Sequence, residues 1–338
     1  MNKKRIVQFI AVICVVAVAL FGVHQYRGRV IHDPDYAQGQ SKGEVVVEIS
    51  QGESGSEIAR NLFKAEVVKS SAAFFRLAVS DVRSTKISPG SHRLSKHIPA
   101  AQALEELLDP SRITSLIKIK EGAWVSEIVD QLVEVGFKRA LVLDALNKLT
   151  PPLGFRANEG ILFPAQYSFA KGTSPGNALK SMVVAFSAAA RLSTIDSTAN
   201  DFSPMEMLTI ASLVQAEGDT KDFSKISRVI RNRLKVGMPL QFDSTVHFIT
   251  HTRGKVFLST NATRTVSLYN TYLHYGLPPG PIGSPGLDAM KAAVSPAEGN
   301  WTYFITVKPG DTRFTSSFQE FLNWKLEYEK NLRAGAFS

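Results

Sequence analysis

The sequence predicts an α+β protein behind an N-terminal membrane helix. Three observations predict it. Residues 9–23 form an unbroken apolar run. A short alternating segment, a glycine and an amphipathic stretch follow one another at Val47, and again at Ile117. Residues 205–214 are apolar almost all round, the mark of a buried helix. A hydrophobic content of 44% with 20% charged residues excludes a disordered chain, and 338 residues allow two or three domains.

With Ile6, Val7 and Gln8 the apolar run reaches about 18 residues, just enough to span a bilayer. Lys3, Lys4 and Arg5 precede it, and Arg27 and Arg29 follow. This bias favours a cytoplasmic N-terminus. Ala17-Val-Ala19 is a passable cleavage motif, but the apolar residues continue past it to Val23. An uncleaved single-pass anchor in the cell membrane is therefore expected, with the remainder exported. The only cysteine, Cys14, lies inside this run, so the exported part has no disulfide and no cysteine-based zinc site.

A polar linker is expected over residues 30–44. A weak repeat follows: Val47-Glu-Ile-Ser-Gln-Gly52 is matched by Ile117-Lys-Ile-Lys-Glu-Gly122, and Ser56-Glu57-Ile58 by Ser126-Glu127-Ile128. Each copy reads as a strand, a turn at glycine and a helix opened by serine. The helices should bury Ile58, Leu62 and Phe63 in the first copy, and Ile128, Val129, Leu132 and Val133 in the second. Ile87–Leu94 and Ala100–Leu108 form a further strand–turn–helix stretch between them. Glu159-Gly-Ile-Leu-Phe-Pro164 reads as a bridge into the second half, before a helix from Pro175 to about Leu192.

In the buried helix, Ser203 is a good N-cap, Pro204 suits the first turn and Glu206 completes a capping box. Glu217 closes it, on one face with Ile210, Leu213 and Val214. Desolvation and the negative helix end both favour its protonated form. A carboxyl protonated near neutral pH is what a general acid requires. The plain alternative is a frayed helix end with a solvated acid. Gly218 should stop the helix and Asp222 should cap the next one. There Ile226, Val229, Ile230 and Leu234 form the buried stripe, while Arg228, Arg231 and Lys235 face elsewhere. Residues 301–307 read as a strand and 318–332 as a closing helix.

Ala211-Ser-Leu-Val-Gln-Ala-Glu217 is followed in order by Arg231-Asn-Arg-Leu234, Leu240-Gln-Phe-Asp-Ser-Thr-Val246, Tyr269-Asn-Thr-Tyr272, Gly276-Leu-Pro-Pro-Gly-Pro-Ile282 and Ser284-Pro-Gly286. This ordered set closely resembles the MltG/YceG-like family of endolytic murein transglycosylases. The resemblance divides the chain into an anchor (1–29), a linker (30–44), a LysM-like region (45–158), a bridge (159–200) and a catalytic domain (201–338). It implies cleavage of the bond between N-acetylmuramic acid and N-acetylglucosamine in nascent glycan strands, without water, leaving a 1,6-anhydro end. The substrate's own 6-hydroxyl would be the nucleophile, so one acid suffices where most glycosidases need two. Glu217 would be that acid. A second family-typical acid would sit at position 215, where this chain has Gln215. A family histidine expected shortly after Phe314-Thr-Ser-Ser-Phe318 is replaced by Phe321.

Gln241, Asp243 and Thr245 alternate, so an extended segment would turn them to one side, toward sugar hydroxyls or Glu217. A polar strand face, or an ion pair of Asp243 with Arg231 or Arg233, is the plainer reading. Tyr269 and Tyr272 could stack on pyranose rings, and Asn270 could bind an acetamido group; a turn with packed aromatics is equally open. The Pro/Gly loop at 276–286 should shape a cleft wall. His247 and His251 are four apart, but no third ligand is evident, and neither a metal nor a cofactor is expected. The expected partners are peptidoglycan glycan strands, the lipid bilayer and peptidoglycan synthases. A net charge of +9 suits an anionic wall. It would also suit a cytoplasmic nucleic-acid binder, but the apolar N-terminus and the lack of a dense basic run oppose that. A non-catalytic wall-binding module is the other alternative.

Overall fold

The computed structural model describes residues 33–50, 52–114, 116–197, 201–253 and 261–337. The expected anchor lies outside the described residues. Among the described residues, no helix is long and apolar enough to cross a membrane. The chain divides into two compact units, residues 1–114 and 115–338. That division falls inside the region expected to run from 45 to 158.

In the first unit, β1 (Glu44–Ile49) pairs antiparallel with β2 (Gly90–Ser95), Val47 opposite His92. Between them lie α1 (Gly55–Lys64) and α2 (Ser71–Ser80), and α3 (Ala100–Leu108) follows. Val47, Ile49, Ile58, Leu62, Phe74, Leu94 and Leu104 form its core. Helix α1 is opened by Ser54 in a capping box with Glu57, not by Ser56. Its Phe63 is 52% exposed, one position off the buried stripe.

The second unit begins with β3 (Leu116–Lys118), which pairs with β4 (Gln166–Ser168). Gly122 has φ +76°, as Gly52 has φ +79°, and α4 (Val125–Glu134) follows. The two copies thus share one local path: strand, left-handed glycine, helix. The second helix starts at Val125, so Ser126 is already inside it; the Glu127 carboxylate accepts from the Trp124 N–H at 2.8 Å. Next come α5 (Arg139–Asn147), α6 (Pro175–Ser193) and α7 (Pro204–Glu217). Residues Ile161 and Leu162 in the bridge segment are both fully buried, but in different clusters. Ile161 joins the core around α7, and Leu162 joins the one around α4 and α6.

Helix α7 is buried on every side from Met207 to Val214. Its capping box and first-turn proline form as the sequence requires. Gly218 does not end it by a left-handed turn, because its backbone is extended. Its role is steric: a Cβ there would lie 2.4 Å from Ile226 Cδ1. Helix α8 (Phe223–Lys235) packs Ile226, Val229 and Ile230 on this core. Asp222 is helical itself and makes no side-chain cap to α8. After α9 (Asp243–Thr250) and the Pro/Gly loop come α10 (Leu287–Val294), the hairpin β5 (Tyr303–Lys308) and β6 (Asp311–Thr315), and α11 (Phe318–Arg333).

Candidate active site

Glu217 ends a helix whose interior has no polar face, so its carboxyl emerges partly buried at the edge of the core. Burial pushes its pKa up to about 7. The Asp243 charge pushes the same way, while a hydrogen bond from Ser244 and the Arg233 charge oppose it. Ser244 Oγ donates to Glu217 Oε1. The site therefore holds an acid poised to be protonated on one side of neutrality and ionised on the other.

Residues 240–246 correct one expectation. They do not form one extended run: Gln241 is left-handed and α9 starts at Asp243. Adjacent residues can then serve the same site, and Asp243 and Ser244 both act on Glu217. Asp243 is exposed and accepts a hydrogen bond from Tyr272 Oη. No ion pair joins it to Arg231 or Arg233 within 4 Å among the described residues; Arg231 pairs with Asp201 at 3.5 Å. Tyr272 is held in its neutral form by burial and by the nearby Asp243 and Glu217 charges.

Two expected ligands are instead structural. Thr245 is fully buried, donates to the Phe242 carbonyl at 2.7 Å and meets Thr271 Oγ1 at 3.0 Å. Asn270 is fully buried as well. Its amide donates to the carbonyls of Thr263 and Thr265 and accepts from the Tyr272 N–H, so both donors are spent within the fold. Tyr269 packs on the core with its ring 5.2 Å from Phe248, and it feels the charge of Glu159 rather than Glu217. Gln241 is exposed in a left-handed conformation, and its N–H donates to the Thr271 carbonyl at 3.1 Å.

The loop before α10 is tied to the core helix. Ser212 Oγ accepts from the Ile282 N–H at 3.0 Å, and Gln215 Oε1 accepts from the Gly286 N–H at 2.9 Å. Gln215 thus fixes a wall of the site with a neutral acceptor. A cavity of about 250 Å³ opens beside the acid, lined by Trp124, Gln215, Ala216, Ser244, His247 and Ile282 among others. Trp124 belongs to the second strand–glycine–helix copy, whose Ala123 bridges to Ser284 of the same loop. His247 Nδ1 meets Thr252 Oγ1 at 3.2 Å, and His251 lies edge-on to Trp124. No group of three or more candidate metal ligands occurs among the described residues. Phe321, where the resemblance led us to expect a histidine nearby, stacks on Tyr303 at 5.3 Å.

The YceG-like family profile matches residues 47–326, most of the chain and all of this site. The chain belongs to the YceG-like family. An endolytic murein transglycosylase of Bacillus subtilis is 30% identical over 310 residues, covering 85% of this chain and 86% of that one. One from Streptococcus pneumoniae is also 30% identical, over 78% of this chain but 54% of its own length. A crystal structure of a YceG-like protein from Listeria monocytogenes superposes with a TM-score of 0.57 at 27% identity, covering 84% of this chain and 99% of that one.

Ser244 and Arg233 are the site residues that sequence reasoning missed. The signal for Ser244 was present: an acid at 243 ahead of an apolar run marks a first helical turn. Arg233 was named only as an ion-pair partner for Asp243, and nothing local marked it as buried.

Proposed function

We propose that this chain is a lytic murein transglycosylase with Glu217 as its single general acid–base group. The observation that carries the reading is a desolvated carboxyl, held by Ser244 at the end of the core helix, with its pKa pushed up to about 7. The names borne by the curated relatives supply the substrate class.

A protonated Glu217 gives its proton to the oxygen leaving C1 of N-acetylmuramic acid. The sugar's own 6-hydroxyl attacks C1, and the Glu217 carboxylate takes back the hydroxyl proton. The acid is regenerated, and the product ends in a 1,6-anhydro ring. No water is consumed, which removes the need for a second carboxylate as base or nucleophile. Asp243, oriented by Tyr272, lies where its charge favours the protonated acid before reaction and a positive C1 during it. The cavity beside Ser244 receives part of the glycan.

The remaining features belong to the same proposal. The recurring strand–glycine–helix path supports LysM-like binding of glycan, and the apolar run at 9–23 supports an anchor that leaves the site outside the cell membrane. A site so placed would meet strands as synthases deliver them, and internal cleavage would set their length.

The test is mass spectrometry of glycan released from purified peptidoglycan by the full chain in detergent and by Glu217→Gln. Internal fragments with 1,6-anhydro ends, absent with the variant, are expected. Hydrated reducing ends would make the protein a hydrolase. Binding without cleavage by either protein would make it a wall-binding module.

A further inference from the structure

Helix α9 has only eight residues, about 12 Å, and is too short to hold its own position. Its start is tied to Thr271, whose carbonyl and hydroxyl accept from the Gln241 and Phe242 N–H groups at 3.1 and 2.9 Å. Those bonds fix where the helix begins but not how it is turned about its axis. Ser244, His247 and Phe248 are spaced i, i+3 and i+4, so they share one stripe, and His251 continues it just past the helix end. From this stripe Ser244 Oγ donates to Glu217, while Phe248 and His251 pack edge-on to Trp124 at 6.0 and 5.9 Å.

Trp124 is held in turn by Arg253, which follows α9. The guanidinium carbon lies 4.1 Å from the centre of the indole ring. Its Nε and Nη2 donate to the Glu127 carboxylate at 2.6 and 2.9 Å, and Nη2 also donates to the Gly122 carbonyl at 2.8 Å. One side chain therefore joins the far end of α9 to the strand–glycine–helix copy that carries Trp124. The ion pair is half exposed, so it contributes little to stability. Its form is nonetheless a bidentate fork stacked on a ring, which fixes orientation.

We infer that Arg253 is a positioning residue: by clamping Trp124 against the α9 stripe, it sets the turn of that helix and aims Ser244 at Glu217. The inference rests on the reading of Glu217 as the acid. A rotation of α9 that parts Phe248 from Trp124 also draws Ser244 away from the carboxyl, because both residues lie on one stripe. A displacement of about 1 Å at a reacting group can cost about 100-fold in rate. Trp124, Ser244, His247 and Arg253 line the same cavity, so the clamp and the group it aims are parts of one wall.

The experiment uses the full chain in detergent, with Arg253→Met, Ser244→Ala and the two combined, on soluble glycan strands. Arg253→Met should lower kcat about fivefold and leave KM within about twofold. The double variant should be no slower than Ser244→Ala, since the group being aimed is then absent. Losses that multiply independently would overturn the inference. So would a raised KM at unchanged kcat, which would make Arg253 a substrate contact. A second reading needs no substrate. Infrared spectra at acid pH, each protein minus its Glu217→Gln counterpart, isolate the carbonyl stretch of the protonated acid. Arg253→Met should move that band to higher wavenumber, as should Ser244→Ala, because each withdraws a hydrogen-bond donor. An unmoved band in folded Arg253→Met would overturn the inference. Glu127→Gln breaks the ion pair from the other side and keeps an acceptor for the Trp124 N–H, so it carries the same test if Arg253→Met does not fold. A shifted band with no cleavage by any of the proteins would sink the glycan reading and leave the coupling standing.

Discussion

Glu217 burdens the folded chain. In an unfolded chain its carboxyl would titrate at about 4.3. In the fold, burial raises that to about 7. The folded state therefore binds the proton more tightly than the unfolded one. Stability falls as pH rises through this window, and the full deficit persists above it. Glu217→Gln should accordingly be more stable than the parent above pH 7, by on the order of 1–3 kcal/mol, and level with it below the unfolded pKa. Thermal denaturation of both proteins at acid and alkaline pH would show this as a gap that opens with pH. A constant gap would remove desolvation from the explanation. Ser244→Ala takes away the hydrogen bond that favours the carboxylate. Its Glu217 titration should shift upward, the basic limb of activity should follow, and the rate at neutral pH should drop severalfold. The place of Glu217 at the edge of the core was legible from helical phase, since it falls in step with Ile210, Leu213 and Val214. Of its modulators, Asp243 was named from the sequence and Ser244 left a local signal, but the burial of Arg233 did neither. Whether Arg233 is buried depends on how α8 packs against segments far along the chain, and no local pattern carries that.

The elements show where period reading succeeds and where it fails. Helix α7 announced itself through its cap, its proline and its apolar content, and it formed between the expected bounds. The segment at 240–246 misled because three polar residues at alternate positions fit a strand as well as a short helix. What decides it is tertiary: Thr271 holds the Gln241 and Phe242 N–H groups just ahead of α9. The Tyr269-Asn-Thr-Tyr272 block looked like a sugar-binding loop because its side chains suit one. Two of the four are consumed in holding the backbone. Gly283 makes a sharper demand. It has φ +156°, and a Cβ there would lie 2.6 Å from the Gly122 carbonyl oxygen. A backbone atom cannot swing aside as a side-chain tip can. Gly283→Ala should cost on the order of 1–3 kcal/mol and lower activity by disturbing the wall beside Gln215. Chemical denaturation reads the first effect; a stable but inactive variant would restrict the second to the site.

At the scale of the molecule, the chain is two compact units, and the first has a core of its own, centred on Leu62, Phe74, Leu94 and Leu104. A fragment of residues 33–114 should therefore unfold cooperatively by itself, as calorimetry can establish. Gradual, non-cooperative melting would mean that it needs the rest of the chain. The basic surplus of +9 gives a further expectation: binding of the full chain to wall material should weaken as salt rises, and a flat salt response in a pull-down would detach the charge from the partner. The repeat seen in the sequence recurs as a local path of strand, left-handed glycine and helix, one copy in each compact unit. Its second copy is hydrogen-bonded to the loop beside the acid, the Gly122 N–H donating to Ser284 and the Ser284 N–H to Ala123 at 2.7 and 2.9 Å. The two copies are therefore not interchangeable cassettes. A chimera that replaced the second by the first would keep the local shape and lose Trp124 from the cavity wall. For the same reason, recombination between relatives should tolerate a crossover near residue 115 far better than one near residue 158.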